Sequence, residues 1–442
     1  MPQARACMAR GGSLYNTEIS FRTQTTMLPT EGQPIEAVME ALAAKRANDV
    51  RWSEGRTFGM VYDGGPSVHA VAERAAALYL HENALNTKAF PSLGQIQSEV
   101  VGWTAGLLNA PAGAAGFMTS GGTESIQCAV LAARERGAKE RGIAAPQMIV
   151  AESAHAAFHK SAHMFGIKVA KTPVKADWTA DVTAIGAAVT PDTVLIVGSA
   201  PQYPQGVIDD IPAIAALAAG AGANCHVDAC MGGFVLPFAE RLGRAVPPWD
   251  FRVPGVSSIS ADIHKLGYAP KGASVILYRD KALRAYQTFV FDDWLGGFYA
   301  SPNLQGTRSG LPMAAAWAVM RHLGLEGYLK LTESALANAD AMRAGVAAIE
   351  GLRVLGGGNY HLVAIAADPA ASREIDIFAL GDAMLAKGWF HDRQGPPDAL
   401  HATVSNSNNG VIETYLHDLR DAVDRIGSAR AADRTTQYAT LE

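Results

Sequence analysis

The sequence predicts an α/β fold in which a mainly parallel sheet is covered by helices on both faces. Strand-length runs such as Thr193–Ser199 (TVLIVGS) are apolar without alternation, as strands buried on both sides must be. From Gly116 onward such runs alternate with segments whose apolar residues recur at helical spacing. At 442 residues, 49% hydrophobic and 18% charged, the chain can form a large sheet and a second packed region.

Residues 1–30 are polar and without periodicity, and read as an arm. Pro34–Asn48 is predicted helical, because Ile35, Val38, Met39 and Leu42 share one face. Phe58–Pro66 is a loop containing Tyr62. Helices follow over Val68–Leu80 and Gln95–Leu108, separated by the loop-rich stretch His81–Leu93. Gly116–Met118 is a short strand running into TSGGTES (Thr119–Ser125) and a helix with Ile126, Ala129, Val130 and Ala133 on one stripe. Met148–Ala151, Thr193–Ser199 and Asn224–Cys230 read as strands, and Ala156–Phe165 and Ile211–Ala219 as helices. After Arg308 the pattern is helical to about Ala348. A βαβα-like tail follows: His361–Ala366, Ile377–Lys387, Ala402–Ser405 and Val411–Ile426. The expected division is an N-terminal arm and helical segment over 1–66, a large domain over 67–310 and a small α/β domain over 311–442.

Composition removes several classes of function. A net charge of −5 with no Lys/Arg block gives no footprint for nucleic acid. The four cysteines, Cys7, Cys128, Cys225 and Cys230, form no CxxC pair and argue against a disulfide scaffold. No apolar run reaches the ~18 residues of a transmembrane span. Arg5 and Arg10 are not followed by the apolar core of a secretory signal. The expectation is a soluble cytoplasmic protein.

Four stretches carry candidate chemistry. In SISADIHKLGYAPKG (Ser258–Gly272) a strand ends where His264 and Lys265 begin, and ASVILY (Ala273–Tyr278) starts another. A lysine at such a junction is desolvated. Burial disfavours its charged form and frees the amine to attack a carbonyl, as a Schiff-base lysine for pyridoxal 5'-phosphate (PLP) requires. An ordinary loop-edge lysine is the alternative. TSGGTES sets two glycines, with the hydroxyls of Thr123 and Ser125, at a helix start, which suits a phosphate cup or a plain capped turn. In HVDAC (His226–Cys230) the buried Asp228 needs a partner: a protonated pyridine nitrogen, or backbone donors. In ESAHAAFHKSAH (Glu152–His163), His155, His159 and His163 fall four apart, but no Cys or carboxylate sits at ligand spacing, so no metal is expected. His155, at a strand–helix junction, could instead stack on a flat ring.

Together, MTSGGTES, ESAHAAF, HVDACMGGF and SISADIHKLGYAPKG give the chain a resemblance to the sphingosine-1-phosphate lyase family, within the PLP-dependent decarboxylase superfamily. It is convincing from about Leu28 to Tyr278. It implies the PLP-dependent transferase fold type I, with a sheet of the seven-stranded type and a smaller C-terminal α/β domain. It also implies roles. Lys265 would carry the cofactor, Asp228 would bind the ring nitrogen and His155 would stack on the ring. Gly122, Thr123 and His264 would hold the cofactor phosphate. Thr307, in GTRSG (Gly306–Gly310), would reach the phosphate from a neighbouring subunit, implying a homodimer with shared active sites. Tyr203 would be the acid/base tyrosine, and Lys271 and Tyr62 would contact the substrate phosphate.

One departure concerns substrate. The family's Asn-Pro-Leu-His segment is here Asn83-Ala84-Leu85-Asn86, so Asn86 replaces a phosphate-binding His. The implied activity is carbon–carbon cleavage of a phosphorylated long-chain amino alcohol, giving a fatty aldehyde and phosphoethanolamine. Amino-acid decarboxylation is the alternative. A non-catalytic regulatory protein of the same fold is disfavoured by the intact Lys265, Asp228 and glycine pair.

Overall fold

The computed structural model describes residues 28–358, 360–436 and 438. The chain forms two compact units, residues 1–50 with 437–442, and residues 51–436. In the first, the predicted helix forms as α1 (Ile35–Lys45), continued by a 3-10 turn over Arg46–Asn48, with Ile35, Val38, Met39 and Leu42 all exposed. The arm expected over 1–30 falls almost wholly outside the described residues.

The second unit begins with two helices, α2 (Pro66–Leu78) and α3 (Pro91–Leu107). Each has proline at its start, where the fixed φ suits the helix and the missing N–H is not needed. The central strands are β1 (Ala115–Thr119), β2 (Gln147–Ala151), β3 (Lys168–Thr172), β4 (Thr193–Ser199), β5 (Asn224–Asp228), β6 (Val256–Ala261) and β7 (Ser274–Tyr278). Their order is β1-β7-β6-β5-β4-β2-β3. Only β7 runs against its neighbours; the other adjacent pairs are parallel. Parallel strands need crossovers, and these include α4 (Gly122–Arg141), α5 (Ala157–Phe165), α6 (Val182–Ala188), α7 (Ile211–Gly220) and α8 (Leu236–Arg241). Every residue of β2, β4, β5, β6 and β7 is buried, which fits the apolar runs of β2, β4 and β7. β1, β2, β4, β5 and β6 point the same way, so Thr119, Ala151, Ser199, Asp228 and Ala261 end on one edge of the sheet. The loops leaving that carboxyl edge build the site, as open α/β sheets generally arrange it.

The long helical pattern after Arg308 follows a short helix α9 (Lys281–Ala285) and a hairpin of β8 (Phe289–Phe291) and β9 (Tyr299–Ser301). It forms α10 (Gly310–Ala347), broken at Gly324, whose φ of 54° and ψ of −170° suit glycine. The tail is an antiparallel sheet, not the simple βαβα alternation the sequence suggested. Its strands are β10 (Leu352–Leu355), β11 (Leu362–Ala367), β12 (Asp392–Gln394) and β13 (Ala399–Thr403), in the order β10-β11-β13-β12. Helices α11 (Ile377–Ala386) and α12 (Ile412–Ile426) contribute to a core with Trp389, Tyr415, Phe378 and Met342. Phe58 joins this core from far upstream, stacked on Trp389 at 6.0 Å and edge-on to Tyr415 at 4.9 Å. Truncating a buried aromatic of this kind costs about 3–5 kcal/mol.

Candidate active site

The site is built at the carboxyl edge from five loops. β1 ends at Thr119 and α4 begins at Gly122, with no side chain capping the helix at Gly121. The first N–H groups of this 20-residue helix form an anion cup. Glu124 is turned away from the cup: its Oε2 accepts from the Ser120 N–H and hydroxyl, and its Oε1 from Asn303. The glycines are sterically required. A Cβ at Gly122 would stand 2.7 Å from Cys230 Sγ and 2.8 Å from Asp262 Oδ2, and one at Gly121 would stand 3.2 Å from His264 Cε1.

Asp228 closes β5 in register with Ser199 of β4 and Ser260 of β6. Its Oδ1 accepts from the Cys230 N–H at 3.0 Å and the Ser260 hydroxyl at 3.4 Å. Behind it, Ser258 and Ser260 bind the two ring nitrogens of the fully buried His226, which burial pushes down to about 4 and so keeps neutral. His155 leaves β2 just before α5. Its Nδ1 accepts the Ala157 N–H at 3.1 Å, which puts the proton of a neutral ring on Nε2. Burial lowers its pKa; the charges of Asp228 and Asp262 work against that, and Lys265 works with it. The His155 ring thus stands in the field of both ends of the predicted site. His159 and His163 are exposed, on the outer face of α5.

Lys265 follows β6, in the turn the sequence predicted. It is not an isolated amine: its Nζ lies 3.0 Å from Asp262 Oδ2, and both side chains are largely shielded from solvent. This pairing corrects the expectation that desolvation alone sets its charge. Burial pushes the Asp262 carboxyl up, but Lys265, His264 and the Ser274 hydroxyl together hold it below its ordinary value. Asp262 Oδ1 has no hydrogen-bond partner among the described residues, an orphaned buried oxygen facing the glycine cup. His264 accepts the Ala273 N–H on Nδ1 at 3.3 Å and is pushed down to about 4 by burial, so its Nε2–H is a neutral donor beside Gly121.

Lys271 and Tyr62 are brought together, with the ammonium 4.6 Å from the ring centroid. Lys271 donates to the His264 carbonyl at 3.0 Å. Crowding by protein and the nearby Lys265 charge lower its pKa, although the side chain keeps an accessible face at the mouth of the site. Tyr203 lies on the loop after β4, where Asp209 Oδ1 and Oδ2 accept from the N–H groups of Ala180 and Ser199 and close the loop.

Asn86 and Thr307 are not joined to this cluster, and Tyr203 bonds to Asp392 of the C-terminal sheet. Asn86 is exposed and its side chain caps a turn at the Lys88 N–H. Thr307 is also exposed. Their segments nonetheless pack on each other: Ala84 donates to the Arg308 carbonyl, Gly310 to the Glu82 carbonyl, and the Arg308 guanidinium to the Ala84 carbonyl. Sequence reasoning gave no role to Asp262, Ser260 or Cys230. Asp262 was visible as the acid three residues before Lys265, but only the turn after Ala261 shows that it folds back.

The arrangement fits PLP. A glycine cradle at an uncapped helix start suits the phosphate, a buried carboxylate suits a ring N–H, and the His155 imidazole feels both that carboxylate and the Lys265 amine. Residues 19–366 match the pyridoxal-dependent decarboxylase conserved domain. The chain belongs to that family and is a PLP-dependent lyase. Within it the chain stands with the sphingosine-1-phosphate lyases. It is 40% identical over 413 residues to the sphingosine-1-phosphate lyase of Arabidopsis thaliana, covering 92% of this chain and 75% of that one. It is likewise 40% identical over 402 residues to sphingosine-1-phosphate lyase 1 of Rattus norvegicus, covering 90% and 70%. The structure of Burkholderia pseudomallei sphingosine-1-phosphate lyase superposes with a TM-score of 0.86 at 41% identity, covering 93% of this chain and 95% of that one.

Proposed function

We propose that this enzyme cleaves sphingosine-1-phosphate or a close phosphorylated long-chain amino alcohol, giving a fatty aldehyde and phosphoethanolamine. The observation that carries the substrate class is the Lys271–Tyr62 pair: an ammonium and a phenol converge at the mouth of the lysine loop, where they can meet an anion the cofactor cup does not hold. Bound PLP supplies the electron sink for the pair released when a carbon–carbon bond breaks.

The chain's own groups divide the remaining work. Lys265 would anchor the cofactor covalently. Asp228, supported by Ser260 and Cys230, would hold a proton on the cofactor's ring nitrogen. Neutral His155 would stack on the ring. Gly122 and Thr123 offer N–H groups to the cofactor phosphate, with the His264 Nε2–H beside them. Tyr203 takes the proton of the substrate hydroxyl. Tyr62 and Lys271 hold the substrate phosphate, with Asn86 a neutral donor in place of the usual His.

The reading includes a cytoplasmic homodimer with shared active sites, in which Thr307 and Asn86 serve the partner's site. Asn86 and Thr307 are exposed on segments that pack together, and the hairpin before Thr307 exposes Phe289, Phe291, Trp294, Leu295 and Phe298. Such a patch suits an interface. The buried free thiols of Cys128, Cys225 and Cys230 agree with a reducing compartment, and no helix among the described residues is long and apolar enough to cross a membrane. The large domain would span 67–310 and the small one 311–442, with the two large sheets on either side of that boundary.

The test is product analysis with PLP-loaded enzyme. Sphingosine-1-phosphate should yield hexadecenal, and unphosphorylated sphingosine should react far more slowly. Lys271→Ala should raise KM for the phosphorylated substrate alone. Loaded enzyme that forms no aldehyde contradicts the reading. Asn86 favours one second reading, amino-acid decarboxylation, which carbon dioxide release from an amino-acid panel would reveal.

A further inference from the structure

The cleavage step needs a base for the substrate hydroxyl, and a phenol alone is a poor one. An ordinary tyrosine keeps its proton up to about pH 10. Near neutrality it can take a proton only if its own leaves at the same moment. The structure supplies the acceptor. Tyr203 Oη donates to Asp392 Oδ2 at 2.6 Å, the short length of a hydroxyl on a carboxylate. Tyr203 comes from the loop after β4 and Asp392 opens β12, so the two halves of the fold meet at this bond.

Both partners are firmly held. The Tyr203 ring stacks on His401 at 3.9 Å, and the Tyr203 carbonyl accepts from His401 Nε2 at 2.9 Å. His401 lies opposite Asp392 across β12 and β13. Asp392 is 7% exposed and makes no ion pair among the described residues. Burial pushes its carboxyl above the ordinary value, and the Tyr203 bond offsets part of this. Three imidazoles stand on this side of the small sheet: His401 from β13, His391 from the residue before β12, and His361 from the residue before β11. Burial pushes all three down to about 3, so none is a cation near neutrality. From the N-terminal side Gly59 approaches, where an added Cβ would stand 3.9 Å from Asp392 Oδ2. Arg393 follows Asp392 on β12 but its guanidinium pairs with Asp382, and the Arg343 and Lys265 charges act on His361. The phenol is the donor on the Asp392 carboxylate.

We propose that Asp392 is the terminal proton acceptor of the cleavage step and that Tyr203 relays the proton to it. The proposal rests on Tyr203 facing the substrate hydroxyl, as in the function proposed above. The substrate O–H bond breaks and its proton bonds to Tyr203 Oη, while the phenol's own proton passes to Asp392 Oδ2. The electron pair left on the substrate oxygen becomes the second bond of the aldehyde. The pair of the broken carbon–carbon bond stays on the amine-bearing carbon, where the cofactor is the sink. The proton gained by Asp392 then passes back through Tyr203 to the amine-bearing carbon, which gives phosphoethanolamine and resets the pair. Asp392 is a positioning residue that acts through Tyr203, and no ionised phenol is needed.

The test measures the pH dependence of kcat/KM for the holoenzyme on sphingosine-1-phosphate, in wild type, Asp392→Asn, Tyr203→Phe and the double variant. Asn keeps an oxygen for the phenol to donate to but cannot accept the proton. KM should hold while kcat falls about 100-fold or more. The acid limb of the wild-type profile, where Asp392 becomes protonated and activity is lost, should vanish. Tyr203→Phe should be as damaging, and the double variant no worse than either single one. Infrared difference spectra against Asp392→Asn give a readout free of turnover. The Asp392 carboxyl should titrate above ordinary carboxylates, and higher still in Tyr203→Phe, which removes the hydrogen bond to the ionised form. An active wild type whose Asp392→Asn variant keeps both kcat and the acid limb overturns the relay alone, and so does a carboxyl titrating in the ordinary range. A loaded wild type that forms no aldehyde overturns the substrate reading beneath it.

Discussion

Gly122→Ala tests the cofactor cradle most quantitatively. The new methyl would stand 2.7 Å from Cys230 Sγ, 2.8 Å from Asp262 Oδ2 and 3.1 Å from Asp262 Oδ1. Comfortable contacts at carbon lie near ~3.5–4 Å, so each neighbour must retreat by roughly 0.5–1 Å. Neither is free to do so: the Cys230 N–H is bonded to Asp228 and Asp262 is paired with Lys265. Overpacking of this kind costs about 1–3 kcal/mol. Alanine's better helix propensity returns at most about 1 kcal/mol of that. If the retreat also deforms the cup, PLP binding weakens by about tenfold for each 1.4 kcal/mol. Two glycines grade the comparison. A Cβ at Gly121 meets only His264 Cε1, at 3.2 Å, and one at Gly113 meets nothing within 4 Å. Urea denaturation of the cofactor-free variants and fluorescence titration with PLP should rank the losses Gly122→Ala, then Gly121→Ala, then Gly113→Ala near zero. A Gly122→Ala variant that matches Gly113→Ala in both assays refutes the reasoning.

Asp209 makes stability depend on pH. Burial raises its carboxyl from 3.8 to about 6 against the pull of the Ala180 and Ser199 N–H donors. The folded chain therefore binds more protons across that window, and stability falls as pH rises through it, by roughly 3 kcal/mol at 1.36 kcal/mol per unit. Urea midpoints measured across the window should show this slope, and Asp209→Asn should flatten it. Asp262→Asn leaves Lys265 without its counter-charge and should lower stability near neutrality by about 1–3 kcal/mol. Because the Asp262 carboxyl is held below its ordinary value, the deficit should be full above that value and fade in acid as the wild-type carboxyl takes a proton. The same variant should let Lys265 shed its proton at lower pH, which a PLP-attachment rate measured against pH would report. Lys271→Gln, which removes the charge over the Tyr62 ring, should raise KM about tenfold or more with kcat nearly unchanged if the pair holds substrate phosphate. A pure kcat loss would place it elsewhere in the cycle.

The cofactor side of the site was legible because each of its residues sits where a local pattern changes. Asp228 ends an apolar strand, Lys265 follows one, His155 precedes a helix and Gly122 begins one. Their convergence then follows from parallel strands ending on a common edge. Asp262 was less legible, since its role depends on a turn that no periodicity describes. Asp392 was not legible at all: it lies on a three-residue strand, 189 residues from the phenol it binds. β3 is poorly legible because KVAKT is an edge strand with two exposed lysines, which looks polar in sequence. The hairpin of β8 and β9 is poorly legible for the opposite reason, its apolar residues being exposed and not buried.

The central claim is that one amine, Lys265, joins the cofactor across from Asp228. Borohydride reduction of the PLP-loaded protein, followed by peptide mapping, tests it directly. The account predicts a single pyridoxyl label on the peptide carrying Lys265, and none in Lys265→Ala. A label on Lys271 or another lysine, or protein that takes up no cofactor, contradicts it.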